Sequence, residues 1–163
     1  MSIKSRLPKA RAVSKNVVLT LRKSPQVSFY GQRSLTDPAT NYQQKVEWSH
    51  TETIEDITFP VVKVECHQVA GVGMPQPNCK GNENGTICYH SLAALIKKAN
   101  SHNDQLSFFD SFTDAVRYAN FGGKLSKVVS AQGNGYCWMV SREKESFKER
   151  VNLMRGEVEE GIE

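Results

Sequence analysis

The chain has 163 residues and a net charge of +4 at neutral pH, with 39% hydrophobic and 9% aromatic side chains. That is enough for one packed core, or for a core with a small metal-clipped satellite. No apolar run approaches the roughly 20 residues that cross a bilayer. The start has positive charge without an apolar segment behind it, which predicts no secretory signal and a cytoplasmic, reducing setting. Clustered cysteines there favour metal over disulfides.

The charge is uneven. The first 36 residues carry Lys4, Arg6, Lys9, Arg11, Lys15, Arg22, Lys23 and Arg33 and no acidic side chain. The rest holds 13 basic and 17 acidic residues. A basic arm on a mildly acidic body is a pattern suited to phosphate backbones, and the bland alternative is a solvated leader.

In chain order, residues 1–16 read as a disordered basic arm, lacking periodicity. Residues 17–58 form a β-rich segment, with strands expected at Val17–Leu21, Val27–Tyr30 and Lys45–Ser49 and a turn-rich stretch at 31–41. Residues 59–100 form the centre of interest. Phe59–Cys66 alternates as a strand, with Val62, Val64 and Cys66 on one face. Residues 67–86 hold Gly71, Gly73, Pro75, Pro77, Gly81 and Gly85, a series of turns without core. A helix is expected from His90, with Leu92, Leu95, Ile96 and Ala99 on one face and Lys97 and Lys98 in the last turn.

Residues 101–142 predict a helix capped by Ser111 with Asp114 three positions on, then a hairpin turning at Gln132–Gly135, where Asn-Gly suits a type I′ turn. Val128, Cys137 and Trp138 are expected in the core. Residues 143–163 form a charged tail, with Phe147, Val151 and Met154 at helical spacing.

Cys66, Cys79, Cys88 and His90 fall within 25 residues. Three thiolates and an imidazole match a tetrahedral zinc site. With one dication they sum to −1, which a helix N-terminus favours. Such a site would pin the Gly/Asn/Pro loop. His67 beside Cys66 is a competing ligand, and the bland alternative is three buried free thiols.

Cys88-Tyr89-His90 running into Ser91-Leu92-Ala93-Ala94-Leu95 resembles the second half of a SWIM-type zinc finger, a likeness covering roughly residues 55–100. The first half departs from it, because Cys66 and Cys79 do not form Cys-x-Cys. The resemblance implies Zn²⁺, a ββα arrangement and DNA or protein contacts. The fold class expected is therefore α+β: a small zinc-clipped ββα module followed by a helix and a β-hairpin. Tyr89 is a candidate for base stacking.

No phosphate-binding loop, dinucleotide fingerprint, His-Glu-x-x-His or nucleophile elbow occurs, and a zinc-deaminase signature is absent despite Glu83. The expectation is a non-enzymatic zinc protein that binds nucleic acid, DNA before RNA, through the basic arm together with Lys80, Lys97 and Lys98. The alternatives are a protein-interaction adaptor and a small phage or mobile-element regulator.

Overall fold

The computed structural model describes residues 3–34, 39–69, 79 and 87–144. Seven strands form one mixed sheet in the order β1-β2-β3-β4-β6-β7-β5. They are β1 (Val18–Arg22), β2 (Val27–Arg33), β3 (Asn41–Ile54), β4 (Ile57–Gln68), β5 (Asp104–Phe109), β6 (Lys124–Ser130) and β7 (Tyr136–Glu143). The helices are α1 (Leu7–Val13), α2 (Tyr89–Ser101) and α3 (Phe112–Ala119).

This overturns the expected small ββα module followed by a helix and hairpin. A strand–strand–helix order does surround the cysteines. However, β3 and β4 are long strands in the middle of the seven-stranded sheet, and α2 is part of its main core. The zinc-finger-like stretch is therefore not a separate unit. The missed strand β5 joins the hairpin to the same sheet, pairing with β7 from Asp104↔Glu143 to Phe109↔Trp138.

Alternation along the strands sorts side chains onto two faces. Val46, Val62, Val64, Val128 and Met139 meet Leu92, Leu95 and Ile96 of α2 on one face. Phe59, Val61, Trp138 and Val140 meet Ala115 and Phe112 of α3 on the other. Ser111 caps α3, its hydroxyl accepting the Asp114 N–H at 3.3 Å. Gly122 ends that helix with φ 106°, and a Cβ on the next residue, Gly123, would collide with Val140.

The first residues are not a loose arm. Ile3, Ala10, Val13 and Val17 are buried in the α2-side core. The Arg6 guanidinium donates to the Ile87 carbonyl at 2.8 Å, and Arg11 to that of Leu106 at 3.1 Å. The absence of periodicity misled here because α1 is only seven residues long and is held by tertiary contact.

Two turns bear on the sheet's hairpins, and the second differs from expectation. Positive φ falls on Glu55 and Asp56, at 50° and 67°, joining β3 to β4 by a two-residue hairpin turn. This is the primed-turn geometry that matches strand twist, reached without glycine. Asn134-Gly135 sits instead in a longer connection, with the Ser130 N–H donating to the Gly135 carbonyl. The expected tail helix beyond residue 144 lies outside the described residues.

Among the described residues six neighbouring strand pairs build the sheet, and β4–β6 is the parallel one, running from Val61↔Lys127 to Val64↔Ser130. Pro60, just before this ladder, has no N–H to contribute to it.

Candidate metal centre

The donor atoms of Cys66, Cys79, Cys88 and His90 all lie within 4.8 Å of one another, and all four residues are buried. Three elements bring them together. Cys66 stands near the end of β4, opposite Gln44 of β3. Cys88 is the residue that precedes the first turn of α2, and His90 lies in that turn. Cys79 is fastened to the strand by its own backbone, its N–H donating to the Cys66 carbonyl at 3.1 Å. That hydrogen bond brings the two cysteines together despite the 12 residues between them.

His90 presents Nδ1 to Cys79 Sγ at 3.4 Å. Its ring is sandwiched between Tyr42 and Tyr89, each with ring centroids 4.1 Å away. Tyr89 in turn carries the Lys9 ammonium over its face at 4.8 Å. Tyr89 thus serves the site as a wall, with Lys9 of α1 on its far side. His90 Nε2 is buried without a hydrogen-bond partner among the described residues.

Two buried glutamines link the cluster. Gln44 Nε2 donates to Cys66 Sγ at 3.4 Å, and Gln32 Nε2 donates to Gln44 Oε1 at 2.9 Å and to the His90 carbonyl at 2.6 Å. A third, Gln132, continues the strand ladder with its side chain. Its Oε1 accepts the Cys66 N–H at 2.7 Å and its Nε2 donates back to the Cys66 carbonyl at 3.0 Å. These amides orient a strand residue that would otherwise sit beyond the last backbone pair of β4 with β6. Extending the β3 alternation back from Val46 puts Gln44 on the core face, a signal available in the sequence. Gln132 lay hidden in its turn.

The electrostatics are those of a thiol cluster. Hydrogen bonds from the Cys66 and Cys79 thiols hold Cys88 well below the ordinary thiol value. Hydrogen bonding with Cys79 first and then with Cys88 pushes Cys66 upward, and burial adds to this. Burial raises the Tyr42 hydroxyl, and the neighbouring thiolates raise it further. Among the described residues α2 has no acidic residue in its first turn, so the thiolate is the negative group at that helix end.

His67 does not join. It points its Nε2 to Glu65 at 3.0 Å and stands one residue off the Cys66 face. The fourth cysteine, Cys137, is buried among hydrocarbon side chains of the sheet, as expected.

Of the basic residues, Lys4, Lys9, Arg11, Lys15, Arg22, Lys23 and Arg33 are exposed, while Arg6, Lys97 and Lys98 are half-buried. α1 and α2 pack together, and Arg22 lies close enough to Lys98 to help burial lower its ammonium pKa. Lys80 lies outside the described residues. No helix among the described residues is long and apolar enough to cross a membrane. The chain matches no family model, no curated protein and no solved structure.

Proposed function

We propose that this is a non-enzymatic nucleic-acid-binding protein whose α2 terminus is clamped by a structural zinc ion. The carrying observation is the buried Cys66, Cys79, Cys88 and His90 cluster. An ideal tetrahedral zinc site, with Zn–S of about 2.3 Å and Zn–N of about 2.0 Å, places S and N about 3.5 Å apart. The Cys79–His90 separation of 3.4 Å is close to that. Sulfur-rich donor sets select zinc over hard cations. A closed, buried, four-ligand set suits a structural rather than a catalytic role, since catalysis needs an open position. Zinc would be held by these four side chains and would neutralise the thiolates. The glutamines would fix Cys66 and the tyrosines would fix the imidazole plane.

The nucleic-acid part rests on charge. Neither residues 3–34 nor residues 87–103 contain an acidic side chain. The layer of α1 and α2, with the short turns flanking α1 and the end of β1, therefore offers Lys4, Lys9, Lys15, Arg22, Lys97 and Lys98 to phosphates without internal neutralisation. The test is affinity for DNA against salt. A log K that falls steeply with log[salt], and falls less steeply for Lys15→Glu, is expected from counterion release. A flat plot would remove the reading. Metal analysis of protein purified without added metal should give one zinc per chain, lost in Cys88→Ser and His90→Ala.

A second reading, a protein-interaction adaptor, is favoured by one observation. The edge strand β1 is exposed along its length and shows Val18, Leu19 and Leu21 to solvent. Leu19→Lys with Leu21→Lys should abolish partner capture on that reading and leave DNA affinity unchanged or raised.

A further inference from the structure

On the face covered by α2, the sheet opens a pocket of about 520 Å³ between the last turns of the helix and the strands β3 to β7. Its size falls within the roughly 300–1,000 Å³ typical of small-ligand sites. The opening has a covalent origin. Pro60 cannot extend the β4–β6 ladder, which begins only at Val61↔Lys127. The two strands are not paired before that point, and the pocket lies there, lined by Pro60 from one strand and Lys124 from the other. The body of the pocket is apolar, with the Trp48 ring, Leu106 and Met139 along it. Three charged residues line it as well: Lys98, Lys124 and Asp104. None of the three is in an ion pair of 4.0 Å or less with another described residue. Half-burial and Arg22 lower the Lys98 pKa, so an anion near it would relieve an unfavourable environment.

We infer that this pocket receives one unstacked nucleotide of a single strand, an inference that rests on the nucleic-acid reading above and narrows it. An aromatic ring in an apolar slot offers a platform for a base. Two cationic side chains suit its phosphate, and the carboxylate of Asp104 accepts from a base N–H, the exocyclic amino group of adenine or the ring N3–H of thymine. The pocket shares Lys98 with the basic layer, so a strand following that layer reaches the pocket without leaving positive potential. A duplex, whose bases are stacked inward, cannot place a base there.

The experiment titrates the full chain with adenosine monophosphate, oligo(dT), duplex DNA and inorganic phosphate, following Trp48 fluorescence in a Trp138→Phe background. Trp138 lies on the opposite face, packed against Phe59 and Phe112. If that background does not fold, the Trp48 indole N–H resonance of the wild type gives the same readout. Saturable change is expected with adenosine monophosphate and oligo(dT), and none with phosphate. Lys124→Glu and Ala99→Leu should each weaken oligo(dT) binding by roughly tenfold or more and leave duplex binding intact. Equal binding of single strand and duplex, with both variants neutral, would overturn the pocket while the basic-layer reading stands. No binding to any of the four probes would overturn both.

Discussion

Two buried environments hold the four cysteines, and the contrast separates what burial does from what neighbours do. Cys137 sits in the sheet with hydrocarbon around it, and burial pushes its thiol above the ordinary range, with the Asp110 charge adding to it. Cys88 is equally inaccessible, yet its thiol lies well below that range because two other thiols donate to it. Burial makes the first an inert piece of core. The same burial, with donors in reach, favours the thiolate in the second. The amino-acid type is identical, so chemistry here is decided by who faces the sulfur.

The largest expected break in this contrast is Cys88→Ser. It should release the metal and lower stability by up to about 10 kcal/mol, the order contributed by structural zinc near neutral pH. Thermal unfolding with and without added zinc measures it. Cys137→Val should leave metal content unchanged and cost below about 1.5 kcal/mol, as volume-conserving swaps do. Equal losses in the two variants would erase the distinction.

Next in size is Gln44→Leu. It removes the N–H donor to Cys66 and leaves Gln32 with one acceptor fewer, at a cost of about 1–3 kcal/mol and about 10–100-fold in metal affinity. Competition with a chromophoric chelator reads the second effect. An unchanged affinity would reduce the glutamines to plain packing.

The pH responses should run in opposite directions. The Cys88 thiol is depressed in the fold, so its contribution is full above the unfolded thiol value near 8.5 and is lost as pH falls through the folded value. Acid should therefore weaken the metal centre, protons competing for its sulfurs. The Cys137 thiol is raised in the fold, so its contribution is full below about 8.5 and is lost above it, at about 1.4 kcal/mol for each pH unit. Denaturant midpoints from neutral to alkaline pH should fall less steeply for Cys137→Val than for wild type.

Much of this was legible where one principle acted alone. The i, i+3, i+4, i+7 spacing of Leu92, Leu95, Ile96 and Ala99 located α2, alternation located β4 and its faces, and Ser111 with Asp114 located the start of α3. The candidate ligand cluster was legible because Cys-x-His before a helix has few uses, and the four donors do lie together. What failed depended on distant partners. Residues 3–17 are ordered by Ile3 N–H on Asp110, by Arg6 on Ile87 and by Arg11 on Leu106, none of them local. Leu106 and Phe108 alternate inward in β5, but the strand lies within residues 101–142, where only a helix and a hairpin are expected. The turn at Glu55 and Asp56 takes positive φ on two successive non-glycine residues, with only Asp56 of a type enriched there. The separate module was lost for the same reason, since nothing in residues 55–100 announces that β3 and β4 continue into a wider sheet.

The single parallel junction also sets the order of assembly. β1 to β4 form an up-and-down series of hairpins whose contacts are close in sequence, while Val64 must wait for Ser130. Closing that long loop carries an entropic cost that local pairing avoids, and such pairings form slowly. Cys66 is placed by the early hairpins, but the Gln132 brace on its backbone arrives only with the junction. The centre is therefore expected to mature last, with Cys66 placed by the early hairpins before Gln132 braces its backbone. Refolding followed by metal uptake should lag refolding followed by far-ultraviolet circular dichroism.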